Sequence, residues 1–255
     1  SPYSFSWDSR TVPNGTHVLT AVARDTANNL ATSSSVTVTV SNTALPPAAG
    51  LVAAYAFNEG SGTTTSDRSG NGNTGTLSGA TWSTAGKNGA ALSFDGVNDR
   101  VNVNDSASVD LTGGMTLQAW VYPTALSSWR TVLLKERSGG LAYALYANED
   151  VPTPAVYVRV GNVDVRVAGI SPLPLNTWTH LAATYDGATL RLYVDGQQVG
   201  SQARTGTIQV TTGRLSLGGN TVWGEWFAGR IDDVRIYNRP LTANEIQIDM
   251  ATPVP

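Results

Sequence analysis

The chain has 255 residues, of which 41% are hydrophobic and 14% are charged, and its formal net charge is −3 at pH 7. A weakly acidic protein offers no electrostatic attraction for phosphate backbones, so the composition argues against nucleic acid as a partner. No run approaches the roughly 20 apolar residues that a membrane span needs, which argues against membrane insertion. Cysteine is absent, and this does not by itself identify a cellular compartment.

Three strands are predicted in the first 42 residues. SPYSFSWDS alternates aromatic residues, Val18 to Arg24 forms a second run, Asp25 to Asn29 predicts a turn, and Val36 to Val40 forms a third run. The stretches WD, NGTHVLTAVARD and VTVTVSN resemble the C-terminal half of a bacterial immunoglobulin-like repeat. The resemblance implies a secreted surface protein or a multidomain polysaccharide-degrading enzyme. Because three strands are too few to close a sandwich, residues 1–42 are predicted to be a partial segment.

A second domain is predicted after the Pro/Ala/Gly-rich linker of residues 43–50, TALPPAAG. From residue 51 onward, about a dozen short strands are bounded by Gly, Asn, Asp, Pro or Ser. The Asp186-Gly187 and Asp195-Gly196 pairs suit tight hairpin turns, whose central residues need positive φ. Thr242 and Glu245 form a capping box at the start of a short terminal helix. This pattern predicts an all-β fold, a two-sheet antiparallel jelly-roll sandwich over residues 51–251.

Five stretches of this second region carry a more specific resemblance. They are LVAAYAFNEGSGTTTSDRSGNGNTGTLSGATW, GAALSFDGVNDRVNV, MTLQAWVYP, NTWTHLAATYDGATLRLYVDGQQV and FAGRIDDVRIYNRPLTANEI. In this order they resemble the laminin-G-like, concanavalin-A-type jelly-roll domain of bacterial surface proteins. The resemblance implies a fold that serves carbohydrate-binding modules, adhesins and lectins, with glycan hydrolases and lyases as distant relatives. Function therefore has to be argued from sites.

Two adjacent carboxylates, Asp232 and Asp233, are the first candidates for catalysis. Glycoside hydrolysis needs two carboxylates that face the same bond, whereas adjacent residues of a strand point to opposite faces. No E-x-D-x-E arrangement appears, and Glu225 and Glu136 lack partners at same-face spacing. The sequence therefore predicts no catalytic residues and a protein that is not an enzyme.

A structural calcium site is the alternative reading of the last strand. Its DDVRIY stretch is similar to the motif that joins the first and last strands through calcium in related jelly-roll enzymes. The resemblance implies these ligands: Asn58, Asp67, Asn71, the backbone carbonyl of Gly89, and Asp232. Asp67 and Asn71 either complete the site or only stabilise a turn. It remains open whether Asp232 instead caps a strand end and pairs with Arg230 or Arg235.

Exposed aromatic side chains are the candidates for sugar recognition, because their faces pack on C–H surfaces of sugars. The expected ligand residues are Trp129, Arg130, Tyr146, Trp223 and Trp226. The three tryptophans lie next to predicted turns, where they line a ligand face or pack at its rim. Trp82, Trp120 and Trp178 fall inside strands and are expected in the core. His17 and His180 have no acidic or cysteine neighbours at ligand spacing, so both are expected to be satisfied structural residues.

Three functions follow from these observations. The first is a non-catalytic carbohydrate-binding or adhesive module, stabilised by calcium, of a larger secreted or cell-surface bacterial protein. Its expected partner is a glycan or glycoconjugate, neutral or weakly acidic because the chain is net negative. The second is a structural module that pairs open strand edges with neighbouring modules or chains. The third is a glycan hydrolase or lyase with an unrecognised site.

Overall fold

A computed structural model describes Ser9, residues 15–40 and residues 49–255. The predicted strand around residues 3–7 lies outside the described residues. The chain divides into two compact units, Ser1–Pro46 and Pro47–Pro255. Among the described residues, no helix has the length and apolar character required to cross a membrane.

The described part of the first unit consists of two short strand pairs, of which only the inner pair is a hairpin of consecutive strands. Its strands are β1 (Gly15–Leu19), β2 (Val22–Arg24), β3 (Leu30–Thr32) and β4 (Val36–Val40). β1 pairs with β4 and β2 pairs with β3, both antiparallel. The turn predicted after Arg24 is confirmed, because Oδ1 of Asp25 accepts hydrogen bonds from the amides of Ala27 and Asn29. The run predicted as one strand is divided between β1 and β2.

The second unit is the predicted jelly-roll sandwich. Its strands are β5 (Leu51–Tyr55), β6 (Thr64–Thr65), β7 (Gly75–Ser78), β8 (Thr81–Ser83), β9 (Ala91–Asp95), β10 (Arg100–Val103), β11 (Met115–Pro123), β12 (Arg130–Arg137), β13 (Gly140–Asn148), β14 (Ala155–Val160), β15 (Val163–Ala168), β16 (Thr179–Tyr185), β17 (Thr189–Val194), β18 (Gln197–Ala203), β19 (Leu215–Leu217), β20 (Gly219–Asn220), β21 (Glu225–Trp226) and β22 (Ala228–Tyr237). A 3₁₀ turn (Ala107–Val109) and helix α1 (Ala243–Ala251) complete the described elements.

Two antiparallel sheets contain most of these strands. The first sheet has the order β15-β14-β13-β12-β19-β10-β7-β6. The second sheet has the order β18-β17-β16-β11-β22-β9-β8, with β5 also paired to β22. β20 and β21 form a separate hairpin. The architecture confirms the all-β prediction.

The main core lies between the two sheets. β14 shows how the sequence builds it, because its valines Val156, Val158 and Val160 join the core while Tyr157 does not. Side chains of a strand point alternately to its two faces, so Tyr157 lies on the outer face of the first sheet. Tyr146 of β13 belongs to the same outer cluster, together with Tyr157. The outer face of the first sheet thus carries an apolar, aromatic surface of its own.

The outer face of the second sheet packs against α1 instead. Ile246 of the helix is buried with Tyr193 and Tyr237 of the sheet. The predicted capping box is confirmed, since the Thr242 side chain accepts from the amide of Glu245 and the Glu245 side chain accepts from the amide of Thr242. The helix therefore begins where the sequence predicts.

The two Asp-Gly turns differ from each other. Asp195 and Gly196 have φ of 47° and 74° and join β17 to β18, as predicted for a two-residue hairpin. Of the other pair, only Gly187 has positive φ, at 84°. There the loop is one residue longer, and Oδ1 of Asp186 accepts a hydrogen bond from the amide of Ala188. The expectation of two positive φ values is wrong for this second turn.

Candidate ligand-binding site

A cavity of about 330 Å³ lies on the aromatic outer face of the first sheet. Its lining residues are Trp129, Leu141, Tyr146, Tyr157, Asp164, Trp223 and Glu225. Neighbouring strands β13, β14 and β15 supply its floor, and the β20-β21 hairpin supplies Trp223 and Glu225. The volume falls near the lower end of the range of roughly 300–1,000 Å³ for small-molecule sites, which suits a compact ligand.

Three aromatic rings of the cavity hold one another in place. The ring centroids of Trp129 and Tyr146 lie 5.1 Å apart, those of Trp129 and Tyr157 lie 5.9 Å apart, and those of Tyr146 and Tyr157 lie 5.7 Å apart. Two of these pairs are edge-to-face, the arrangement that the ring quadrupoles favour. Trp223 is different, because half of it is exposed. The cavity therefore combines a rigid aromatic wall with one accessible indole.

Hydrogen bonds to neighbouring carboxylates fix the orientations of the Trp129 and Tyr157 rings. Nε1 of Trp129 donates to Oδ1 of Asp150 at 2.6 Å. The hydroxyl of Tyr157 donates to the buried carboxylate of Glu149 at 2.6 Å, and Nε of Arg166 donates to the same carboxylate at 2.9 Å. Because carboxylates satisfy the polar tips of Trp129 and Tyr157, the apolar faces of these rings are left to line the cavity.

Glu225 places a carboxylate on the cavity wall. Its Oε2 accepts hydrogen bonds from Nδ2 of Asn220 at 2.7 Å, from the hydroxyl of Tyr146 at 3.1 Å and from that of Thr131 at 3.4 Å. Its Oε1 accepts none from the residues that the structure describes. Burial raises the pKa of Glu225 above its ordinary value, although these hydrogen bonds oppose the shift. One oxygen is thus anchored, and the other is available to a ligand.

The structure brings together some of the predicted ligand residues and excludes others. Trp129, Tyr146 and Trp223 line the cavity. Arg130 does not, because it is buried and its Nη1 donates to the backbone carbonyl of Trp226 at 2.7 Å. Trp226 does not line it either, since its ring packs close to Gly219. In this structure Arg130 and Trp226 make contacts within the domain and do not line the cavity.

Four cavity residues, Leu141, Tyr157, Asp164 and Glu225, were not among the expected ligand residues, and the sequence suggested Glu225 only as a catalytic candidate without a partner. Tyr157 alternates with core valines in AVYVRV, so period-two spacing alone could have placed it on the outer face. Asp164 lies opposite Arg159 in the β14-β15 register, and the two form an ion pair with a 3.0 Å contact. No motif in the local sequence marks Tyr157 or Asp164 as part of a site.

Asp232 and Asp233 are both fully buried. Oδ2 of Asp232 accepts hydrogen bonds from the amides of Lys87 and Asn88 at 2.8 and 2.9 Å. Asp233 accepts from the side-chain amide of Asn88 at 2.5 Å. Both carboxylates therefore accept hydrogen bonds from Asn88. The expectation that the side chains of Asp232 and Asp233 point to opposite faces of the strand is wrong here. The reason is local: Asp233 has φ of 46°, and the pairing of β22 with β11 shifts register at this point.

The expected calcium ligands fall into two groups. Asn58, Gly89 and Asp232 surround the turn of residues 86–90, where Oδ1 of Asn58 accepts from the amide of Ala90 at 2.7 Å. Asp67 instead accepts from the amide of Ala54 at 3.0 Å. The single five-residue site is therefore corrected to a three-residue arrangement plus a separate network.

That separate network joins the loop after β6 to strand β5. Asp67 also accepts hydrogen bonds from Ser69 and Asn73, and Nδ2 of Asn71 donates to the carbonyl of Val52 at 3.2 Å. Asp67 and Asn71 thus stabilise a turn, which was one of the two readings of the sequence. Within the described ranges, no group of three or more His, Cys, Asp or Glu side chains is placed to hold a metal ion.

The three-residue arrangement fits calcium only in part. The carboxylate of Asp232 already accepts three backbone hydrogen bonds, one of them from the amide of Asp233, out of about four acceptor positions. Calcium takes 6–8 oxygen ligands, so backbone carbonyls of the turn would have to supply most of them. Burial raises the pKa of Asp232 to about 7.

His180 is buried against Trp120, with ring centroids 5.2 Å apart. Neither ring nitrogen has a hydrogen-bond partner among the described residues, so the expectation of a satisfied histidine is wrong. Burial lowers its pKa to about 3, which keeps the imidazole neutral. Trp120 is buried as expected, whereas Trp178 is only half-buried.

Comparisons with known proteins agree with this architecture. Domain 4 of an extracellular GH43 arabinanase from Geobacillus stearothermophilus, solved in complex with arabinotriose, has a TM-score of 0.64 and 20% identity over 78% of this chain and 97% of that domain. The binding domain of Paraclostridial Mosquitocidal Protein 1 has a TM-score of 0.61 and 16% identity, over 78% of this chain and 51% of that one. At these identities the likeness shows the fold.

Two further comparisons cover less of the other protein. The receptor-binding domain of a botulinum neurotoxin C/D mosaic serotype has a TM-score of 0.62 and 12% identity, over 78% of this chain and 50% of that one. Pappalysin-1 of Mus musculus is 38% identical over 80 residues, which is 29% of this chain and 5% of that protein. The chain thus spans about half of the toxin domains and a small part of the mouse protein.

The sequence model of the concanavalin A-like lectin/glucanases superfamily matches residues 94–247. These residues include most strands of both sheets and every residue that lines the cavity. The match covers more than half of the 255 residues. The chain therefore belongs to the concanavalin A-like lectin/glucanases superfamily.

Proposed function

We propose that this chain is a non-catalytic carbohydrate-binding module of a larger secreted or cell-surface bacterial protein. The cavity of the first sheet carries the proposal. Its aromatic wall offers faces for the C–H surfaces of a sugar ring, and its free carboxylate oxygen offers an acceptor for hydroxyl groups. The partner is a glycan or glycoconjugate, bound by the exposed ring of Trp223 and by Glu225.

The comparisons support this proposal at the level of the fold. One similar structure is a domain of an arabinanase in complex with an arabinose oligomer, and others are binding domains of toxins. Each is a module of a larger protein, which suits a chain whose first unit resembles part of a repeat.

The test is a glycan array probed with the full chain and with Trp223→Ala in parallel. We expect wild-type protein to bind a subset of glycans and the variant to lose that binding, while both melt at similar temperatures. Equal binding by the two proteins, or binding to no glycan, would contradict the proposal.

A hydrolase is the second candidate, because Glu225 and Asp164 both line the cavity. Glycoside hydrolysis uses two carboxyl groups that flank the scissile bond. The carboxylate of Asp164, however, is already engaged in an ion pair with Arg159. Incubation of each bound glycan with the protein decides between the two: shortened products that Glu225→Gln fails to release would establish the hydrolase.

Calcium stays a proposal for the turn of residues 86–90, with Asn58, the carbonyl of Gly89 and Asp232 as the candidate ligands. What supports it is that the three residues surround one turn, which β22 holds against the sandwich. Its effect would be on stability, since the turn lies on the second sheet and the cavity on the first.

A further inference from the structure

We infer that the cavity prefers a sugar that carries a protonated amine over neutral and acidic sugars. The inference rests on the proposed function and names the class of glycan that the cavity takes. The residues that line the cavity include two carboxylates, those of Asp164 and Glu225, and no Lys, Arg or His.

The charges near the cavity do not cancel. Arg159 pairs with Asp164, and Arg166 pairs with Glu149. Glu225 is held only by neutral donors, and no described residue forms an ion pair with it. Asp150, behind Trp129, also has a neutral donor and no described cation as its partner. Glu225 on the cavity wall, and Asp150, which is bonded to Trp129 and does not line the cavity, are thus left without compensating positive charge.

The partial burial of Glu225 strengthens the preference of the cavity for a cation. Glu225 is partly buried, and its pKa is raised by burial and further by the charge of Asp150. A cation that enters the cavity would relieve both effects, because an opposite charge favours the ionised carboxylate. Its ammonium group would donate a hydrogen bond to Oε1 of Glu225, the oxygen that accepts no hydrogen bond from the described residues.

The aromatic wall favours the same ligand. An ammonium group near the face of Trp or Tyr is attracted by the ring quadrupole. Trp129, Tyr146 and Tyr157 already form a group of mutually contacting rings, and Trp223 adds an exposed indole beside Glu225. A carboxylate or sulfate on the sugar would instead be repelled by Glu225 and Asp150. The ligand is thus a 2-amino sugar with a free amine, stacked on Trp223.

The test is calorimetric titration of the full chain at pH 6.5 with four probes. They are β-1,4-linked trimers of glucosamine, N-acetylglucosamine and glucose, and choline as a cation without a sugar. We expect the glucosamine trimer to bind about tenfold more tightly than the glucose trimer, the size of one cation–aromatic or charge contact. Lowering the pH through the pKa of Glu225 should remove this preference.

Glu225→Gln tests the contact directly, because the amide oxygen of Gln can keep the three neutral donors while an uncharged amide NH2 group, which only donates, replaces Oε1. The ratio of the two affinities should fall close to one. Asp186→Asn removes the same charge from a turn of the second sheet and should leave the ratio unchanged.

The outcomes separate the inference from the proposed function. Equal binding of the glucosamine and glucose trimers, or a preference that survives both Glu225→Gln and acidification, would overturn the inference and leave the proposed function intact. Binding of choline with no binding of any trimer, or no binding at all, would also overturn the inference, whereas the proposed function falls only if the array shows no glycan that depends on Trp223.

Discussion

Trp223 and Trp226 lie three residues apart and contact different parts of the molecule. Trp223 is half-exposed at the cavity, whereas Trp226 packs near Gly219 with Arg100 over its ring. We expect Trp223→Ala to weaken glycan binding at least tenfold and to change the free energy of unfolding by less than about 1 kcal/mol. Trp226→Ala should cost about 2 kcal/mol of stability, because it leaves a gap beneath the hairpin.

Chemical denaturation and glycan titration of both variants check this pair. The reverse result, in which Trp223→Ala unfolds the domain and Trp226→Ala abolishes binding with native stability, would show that the wrong tryptophan has been assigned to the ligand.

His180 makes stability depend on pH. Burial lowers its pKa to about 3, against about 6.5 in an unfolded chain. As pH falls between these two values, the unfolded state takes up a proton that the folded state does not, so this residue's contribution to stability decreases. Above pH 6.5 the contribution is constant. The slope is at most about 1.4 kcal/mol per pH unit.

His180→Phe should remove that slope, because phenylalanine keeps the edge-to-face contact with Trp120 and has no proton to bind. Urea unfolding at several pH values between 4 and 7.5 gives the comparison. We expect the variant to gain stability relative to wild type as pH falls. Parallel curves for the two proteins would show that His180 is not buried as a neutral ring.

At the level of elements, the turn of residues 86–90 is attached to β22 through Asp232 and Asp233. If calcium binds there, chelation should lower the melting temperature of wild-type protein, by an amount that corresponds to about 2.7 kcal/mol at a hundredfold excess over Kd. Asp232→Asn should melt lower than wild type and should no longer respond to calcium.

Differential scanning calorimetry with and without chelator measures both effects. A variant that is destabilised while the wild type does not respond to chelation would exclude the metal and leave the carboxylate with its three backbone amide partners.

The first unit is expected to be incomplete as a folding unit. In its described strands, large apolar side chains such as Val18, Val22 and Leu30 are mostly exposed. Two short two-stranded pairs whose apolar side chains are mostly exposed are at most marginally stable in water. A peptide of residues 1–42 should therefore show no cooperative thermal transition by circular dichroism. A sharp melt would contradict the prediction and establish an independent domain.

Elements whose structure depends on nearby residues were predictable from the sequence. The capping box at Thr242 and the hairpin at Asp195-Gly196 follow from contacts within three residues. The bulge at Asp233 was not predictable, because strand alternation fails there only through the register of β22 against β11. The contact of both carboxylates with Asn88 was not predictable either, because 144 and 145 positions of the chain separate Asn88 from Asp232 and Asp233.

For the whole molecule, the alternating strands and ordered motifs were enough to predict the sandwich. The cavity was not predictable in full, because its residues come from strands that are adjacent in the sheet and far apart in the chain. Trp129 and Glu225 are separated by nearly a hundred residues. Aromatic character identified Trp129 and Trp223, and period-two spacing could have placed Tyr157 on the outer face, whereas no local pattern marks Asp164.

The central claim is that a glycan binds in the cavity of the first sheet. The most direct measurement is an experimental structure of the full chain with a glycan selected from the array. We expect a sugar ring to lie against Trp223, with one of its polar groups within hydrogen-bond distance of Oε1 of Glu225. A glycan bound at any other surface, with this cavity empty, would contradict the account.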